Sequence, residues 1–330
     1  MESPRSFGTR LGAALCCVSI VLLGACTSRS TTSVAASASP SASATPSPTA
    51  SKAAHQALSD AAPIVVIFME NREAGAVVGS SSAPYENSLV HRGRSYTNYF
   101  AISHPSLPNY LAFASGSTHG KTDDSVTAGE LDGPTLWTQL TAAGIPWAVY
   151  EESMPSPCYT PYAAGSAPGD YVLKHNPATP FHEITSNSAA CNRVQPLTRM
   201  DPKHLPTVSF ITPNECNDAH SCLLSTGDAW LATHVPALLA AGADVIITYD
   251  EGTTDLGAGG GAGGGQVFAV EAGPGVPSGV TVTKSNEPLQ LAGGDRAAVP
   301  PSEAGRGIER HAAPDLMGSC ISRLLNGRRR

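Results

Sequence analysis

Two acid-bearing residue pairs and one serine carry the chemistry that this chain can attempt. Glu70-Asn71 follows the apolar run IVVIFM, and Asp250-Glu251 follows DVIITY. Carboxylates beside an amide oxygen suit a hard or borderline divalent cation. An acid after a strand is also an ordinary turn or capping residue. Two such pairs delivered to one sheet edge favour metal ligation. Ser106 opens the segment SLPNYLAFASG, in which Pro108 in the first turn and Gly116 as a stop outline a helix. By itself Ser106 reads as an N-cap. A hydroxyl at a helix N-terminus also faces unpaired N–H groups and the positive end of the dipole, a setting that suits a phosphoryl group. A nearby cation would depress its pKa and make it a nucleophile. No G-x-S-x-G setting surrounds it, which disfavours a hydrolase triad.

The elements that must position these groups are legible as short apolar runs at residues 64–69, 145–150, 207–211 and 244–249. Runs of this kind suit strands buried on both faces of a sheet. Helical segments lie between them, at residues 134–143 before Gly144 and 228–241 before Gly242, each with glycine at the expected C′ position. Strand–helix alternation predicts a mostly parallel α/β sheet, whose ligands bind outside the carboxyl ends of the strands. Trp137, Trp147 and Trp230 read as core. The run GAGGGAGGG at residues 257–265 lacks GK[ST] and reads as a flexible loop beside Asp250-Glu251, with room for a lid.

Charged residues make up only 14% of the chain, and 20 Lys+Arg against 27 Asp+Glu leave a net charge of −7. A chain that neutralised nucleic-acid phosphates would carry a basic excess, so nucleic acid is excluded as a partner. At the N-terminus, Arg5 and Arg10 precede an apolar run over residues 11–25. That run is shorter than the roughly 20 residues of a membrane span and has the layout of an export signal. It closes on Leu23-Gly24-Ala25-Cys26, which resembles the lipobox of bacterial lipoproteins and implies an acylated Cys26 at the mature N-terminus. From Thr27 to Ala54, 25 of 28 residues are Ser, Thr, Ala or Pro, which cannot bury a core. The expected organisation is a signal peptide over 1–25, a disordered tether over 26–59, a folded domain over 60–284 and a divergent, disordered tail over 285–330. The protein is then a monomer tied by lipid to the outer face of the cell membrane. Export permits disulfides, and Cys158–Cys191 and Cys216–Cys222 are the available pairings, with Cys320 left over. The spacings do not suggest a structural zinc site.

Six segments occur in a recognisable order: MENR (69–72), SHPSLPNYLAFASG (103–116), KHNP (174–177), TPNECNDAH (212–220), GDAWL (227–231) and TYDEG (248–252). Together they resemble the bacterial phosphoesterase family of acid phosphatases and non-haemolytic phospholipases C, within the alkaline phosphatase superfamily. The resemblance runs from about residue 62 to 284. It implies a three-layer α/β/α sandwich and hydrolysis of phosphate esters through a phosphoserine on Ser106. It implies one divalent metal, with a second possible, held by Glu70, Asn71, Ser106, Asp250 and Glu251. Asn109 would hold a phosphate oxygen, and His175 and His220 would bind phosphate or protonate the leaving group. Asp218 is a candidate ligand for the second metal. Few Lys and Arg are clustered here, so the metal would carry most of the positive charge that phosphoryl transfer requires.

The resemblance ends near residue 285, where a family-like last helix is replaced by NEPLQLAGGDRAAVPPSEAGRGIERH. Seven of the fifteen arginines fall in the last 35 residues, a shift that reads as a change of reading frame. The leading expectation is a metal-dependent phosphomonoesterase acting on a small molecule or a phospholipid head group. A phospholipase C-like phosphodiesterase shares the same motifs. An envelope lipoprotein that keeps the fold while its lost C-terminus impairs catalysis is the reading from another class.

Overall fold

The computed structural model describes residues 62–166, 169–254 and 263–283. The expected signal peptide, the tether, Cys26, Cys320, the divergent tail and most of the glycine run lie outside the described residues.

The framework is an eight-stranded sheet among the described residues. Its strands are β1 (Ile64–Met69), β2 (Arg94–Tyr96), β3 (Trp147–Glu151), β6 (Val194–Pro196), β7 (Val208–Thr212), β8 (Asp244–Tyr249), β9 (Ala269–Ala272) and β10 (Val280–Val282), and a separate pair is formed by β4 (Ala163–Ala164) and β5 (Tyr171–Val172). The order across the sheet is β10-β2-β9-β8-β1-β7-β3-β6. The central block β8-β1-β7-β3-β6 is parallel throughout, and β9 runs antiparallel to both β8 and β2. Two of the four predicted strands, β1 and β8, match their expected limits; β3 and β7 each run one residue further and start later.

Helices cover both faces. These are α1 (Ala74–Val77), α2 (Pro84–Arg92), α3 (Ser106–Ser115), α4 (Leu136–Ala142), α5 (His182–Thr185), α6 (Ser188–Cys191) and α7 (Leu224–Ala240). Every residue of β1 is buried, because alternate side chains enter two separate cores. Ile64, Val66 and Phe68 join Leu107, Tyr110, Leu111, Trp137 and Ile184 on one side. Val65, Ile67 and Met69 join Val77, Leu89, Trp230, Leu231 and Val235 on the other. The result is the three-layer α/β/α arrangement. Trp137, Trp147 and Trp230 are all buried, as their apolar settings predict.

Two helices depart from their predicted limits. Helix α4 begins after Thr135, whose side chain accepts from Thr138 N in a capping box. Helix α7 begins at Leu224, four residues before the predicted start, and so carries Gly227 in its first turns. A Cβ there would lie 2.8 Å from Met69 Cε and 3.2 Å from Asn217 O. The missing side chain lets the helix press against the loop that bears Asp218.

Both disulfides are formed, Cys158–Cys191 and Cys216–Cys222. At the end of the glycine run, Gly265 O accepts from Ala101 N and Gly264 O accepts from Gly252 N. A Cβ on Gly264 would meet Ala101 Cβ at 2.4 Å, so glycine is required by close packing at that end.

Candidate active site

Met69 and Tyr249 are register partners on adjacent parallel strands. The next residue on each chain is therefore a carboxylate, and Glu70 and Asp250 leave the sheet side by side. Asp250 N donates to Met69 O, Arg72 N to Glu251 O, and Glu70 N to Asp218 O. Asn71 adopts φ 58°, a left-handed conformation that asparagine tolerates. Its N–H donates to Asp250 Oδ1 at 3.2 Å, and its Nδ2 donates to Glu70 Oε2 at 3.3 Å. Asp250 Oδ1 also accepts from Glu251 N at 2.6 Å.

Ser106 is the first residue of α3 rather than its cap; Pro105 holds the cap position in an extended conformation. The hydroxyl is consequently turned away from the backbone. It lies 3.0 Å from Glu70 Oε2 and 3.3 Å from Glu251 Oε1. The first turn's Leu107 N–H is bonded to Asp124 Oδ1 at 3.1 Å, so a carboxylate takes the donor expected for a phosphoryl group. One turn along, Tyr110 OH donates to Glu70 Oε1 at 2.6 Å. Asn109, expected to hold a phosphate oxygen, braces the loop ahead of the helix in this structure. Its Oδ1 accepts from Ile102 N and Ser103 N, and its Nδ2 donates to Ser103 O and Pro105 O.

A second group converges on Glu70 from the other side. His175 is 2% exposed and stacks on Tyr110 with ring centroids 5.3 Å apart. Its Nε2 lies 3.4 Å from Glu70 Oε1 and its Nδ1 lies 3.5 Å from Asp218 Oδ2. Glu70, His175 and Asp218 each present a donor atom, all within 4.8 Å of one another. The ring is enclosed between the two carboxylates. Asp218 and His220 sit inside the Cys216–Cys222 bridge, where Ala219 takes φ 75° and Asp218 Oδ1 accepts from His220 N. Glu152 organises the approach to this loop by accepting from Asn214 N, Asn217 Nδ2 and Trp230 Nε1.

The electrostatics follow from enclosure. Burial, then the charges of Asp250 and Asp218, push the Glu70 carboxyl well above its ordinary range. Burial likewise raises Asp218, Asp250 and Glu251, with neighbouring carboxylates adding to each. Burial, reinforced by Lys174 and His220, holds His175 well below the ordinary histidine value, so the ring is neutral and able to ligate. Asp218 Oδ2, Asp250 Oδ2 and His175 Nε2 are buried and make no hydrogen bond. Four crowded carboxylates, two of them with an orphaned oxygen, and a neutral imidazole fit a divalent cation.

The rim holds groups that the sequence did not single out. Lys174 Nζ donates to Asp124 Oδ2 at 2.9 Å and stands 3.5 Å from His220 Nε2. His104 Nδ1 lies 2.5 Å from Glu251 Oε2. Arg72 donates to Asn71 O and Cys222 O. A signal existed for Tyr110, four residues after Ser106 and so on the same helix face. Asp124 belongs to no recognised segment and had no such signal.

Residues 79–256 match the Phosphoesterase family. The chain is 35% identical over 204 residues to a phosphatidylinositol-3-phosphatase of Mycobacterium tuberculosis, covering 60% of this chain and 66% of that protein. It is 35% identical over 181 residues to a phosphate-repressible acid phosphatase of Penicillium chrysogenum, covering 51% of this chain and 43% of that one. The chain thus spans just under two thirds of the mycobacterial relative and less than half of the fungal one. A Vibrio parahaemolyticus protein of the alkaline phosphatase superfamily is a structural neighbour at TM-score 0.45 and 10% identity, covering 67% of this chain and 62% of that one.

Proposed function

The chain belongs to the Phosphoesterase family, and on that premise we propose that it hydrolyses phosphate monoesters through a phosphoserine on Ser106. The observation that carries this reading is the buried Ser106 hydroxyl between Glu70 and Glu251, 3.0 and 3.3 Å from their oxygens. The residues that would hold a divalent cation are Glu70, Asn71, Ser106, Asp250 and Glu251, with His175 and Asp218 completing a second set around Glu70. A cation bound there would lower the pKa of the hydroxyl and offset charge on the phosphoryl oxygens.

The remaining work falls to the chain. Ser106 Oγ attacks phosphorus, its proton passing to one of the carboxylates that accept its hydrogen bond. The bond from phosphorus to the ester oxygen breaks, and the departing alkoxide takes a proton from water, while His220, half-buried beside Lys174, is placed to bind the phosphoryl group. Water then cleaves the phosphoserine, returning the hydroxyl and releasing phosphate. Each turnover consumes one ester and one water and yields one alcohol and one phosphate.

Supporting the monoester choice are the two relatives named as phosphatases. A phosphoinositide-like head group is a substrate class that the mycobacterial relative's name suggests. We further propose that the protein is exported and anchored through Cys26 to the outer face of the cell membrane, on the strength of its N-terminal sequence. The reading is tested by assaying p-nitrophenyl phosphate, its bis-ester and a phospholipid with added divalent metals, and by trapping phosphate on Ser106 for mass spectrometry. Turnover of none of the three by folded protein would overturn it.

A further inference from the structure

Lys174 and His175 are consecutive residues of one 3-10 turn, Leu173–His175, yet they serve different spaces. His175 is enclosed between Glu70 and Asp218. Lys174 buries its stem and brings its ammonium to the mouth of the site, with its side chain 12% exposed and its partner Asp124 28% exposed. Asp124 is shared. One oxygen accepts from Leu107 N, the residue after Ser106, and the other accepts from Lys174 Nζ. A continuous chain of contacts therefore runs from the start of the Ser106 helix through Asp124 to Lys174 and on to His220.

The charges near this mouth are uneven. Glu70, Asp218, Asp250, Glu251 and Asp124 are acidic. Among the described residues, Arg72 and Lys174 are the lysine or arginine cations whose fields reach the site histidines. Arg72 is committed to two backbone carbonyls, at 2.7 and 3.1 Å. Lys174 has three N–H donors, of which one is held by Asp124 and a second is directed toward His220. A third remains for an incoming oxygen. The exposed ring of Tyr162 flanks the same mouth, its backbone oxygen accepting from Leu173 N at the start of the Lys174 turn.

We propose that Lys174 is a substrate-binding residue that grips a terminal phosphoryl oxygen and selects monoesters over diesters, with Asp124 as the residue that positions it. This rests on the phosphate-ester reading above and sharpens its substrate class. A phosphomonoester dianion presents three terminal oxygens and two charges, whereas a diester presents two oxygens and one charge. An additional fixed ammonium at the mouth therefore favours the monoester, since hydrogen bonds between charged groups are the strong ones. Lysine suits the task as a compact point charge that needs no planar partner.

The test uses the full-length protein with added divalent metal, p-nitrophenyl phosphate and bis(p-nitrophenyl) phosphate as substrates, and inorganic phosphate binding by calorimetry. Lys174→Met should lower kcat/KM for the monoester about 100-fold while the diester value changes less than about threefold. Phosphate should bind about tenfold more weakly to the same variant. Lys174→Arg should recover much of the loss, and also serves if the methionine variant fails to fold. Asp124→Asn, which keeps an acceptor for Leu107 N, should lower the monoester-to-diester ratio alone and leave it unchanged once Lys174 is Met. Equal losses on both esters with unchanged phosphate affinity would overturn the assignment, as would a wild type that prefers the diester. If the wild type hydrolysed neither ester yet lost phosphate binding on Lys174→Met, the catalytic reading would fall and the anion site would stand.

Discussion

Ser106 Oγ lies 3.0 Å from Glu70 Oε2, although 36 residues separate the two in sequence. The contact exists because β1 ends at Met69 and α3 begins at Ser106, so a strand terminus and a helix terminus meet at one edge of the sheet. Ser106→Ala removes the nucleophile and leaves α3 intact, since the hydroxyl caps no backbone group. Turnover should fall by about a thousandfold or more, with an unchanged circular dichroism spectrum. Retention of more than about a tenth of wild-type activity, a loss under roughly 1.4 kcal/mol, would reject the covalent route in favour of direct water attack.

Tyr110 holds the opposite oxygen of the same carboxylate at 2.6 Å. Glu70 is buried, and this hydrogen bond is an influence that favours its charged form. Tyr110→Phe keeps the ring and its stack on His175 but removes the donor. Leaving a buried acceptor unpaired costs about 1–3 kcal/mol. Thermal denaturation should register that loss, and kcat/KM should drop by about tenfold or more as Glu70 becomes harder to ionise. Full activity in Tyr110→Phe would show that Glu70 needs no such support.

Much of this arrangement was legible in the residues, and the exceptions have physical causes. Strands β1 and β8 could be read to their last residue because both are apolar runs closed by a carboxylate. Their register then makes Glu70 and Asp250 neighbours. The cap assigned to Ser106 was wrong by one position. Pro105 takes the extended conformation that precedes the helix, and nearby carboxylates draw the hydroxyl. The enclosure of His175 between Glu70 and Asp218 comes from the fold, which the KHNP segment does not encode by itself. The four hydrogen bonds that tie the Asn109 amide to the loop at residues 102–105 arise from the turn ahead of the helix, which the PNY triplet does not spell out. Asp124 reaches the site only through the fold, from a loop with no distinctive pattern.

The Cys216–Cys222 bridge joins cysteines six positions apart and encloses Asp218 and His220. Closing so short a loop contributes about 2 kcal/mol by the chain-entropy argument. Its functional weight should be larger, because Asp218 must sit within reach of His175 and Glu70. Replacing both cysteines with serine should raise the metal concentration needed for half-maximal activity more than it lowers the melting temperature would suggest. Titration of metal-free protein with a divalent cation checks this, and an unchanged midpoint would assign the bridge to stability alone.

The proposed anchor at Cys26 makes a separate demand. Cys26→Ser should leave the precursor uncleaved or release the protein into the soluble fraction, while enzyme activity per molecule stays the same. Detergent partitioning of the two forms reads this directly. Unchanged partitioning with normal processing would remove the anchor.

Glu86 supplies a pH dependence away from the catalytic groups. It lies on α2, fully buried, with Tyr249 OH donating to its Oε1 at 3.1 Å. Asp228 of α7 caps the start of the same helix, accepting from Tyr85 N and Glu86 N at 3.1 and 2.9 Å. Burial first, and then the Asp228 charge, push the Glu86 carboxyl up to about 8. Below about pH 4.5 the folded and unfolded chains both hold this proton, and the stabilisation is fully present. Between there and pH 8 the unfolded chain gives the proton up while the folded chain retains it, so unfolding becomes progressively easier as pH rises. The loss is of the order of a few kcal/mol at most. Glu86→Gln keeps the shape and an acceptor for Tyr249 but cannot ionise. It should match the wild type in melting temperature near pH 4.5 and exceed it at pH 8, flattening the dependence across that window. Parallel melting curves for the two proteins from pH 4.5 to 8 would mean that Glu86 is already ionised in the folded state and that its surroundings compensate the charge.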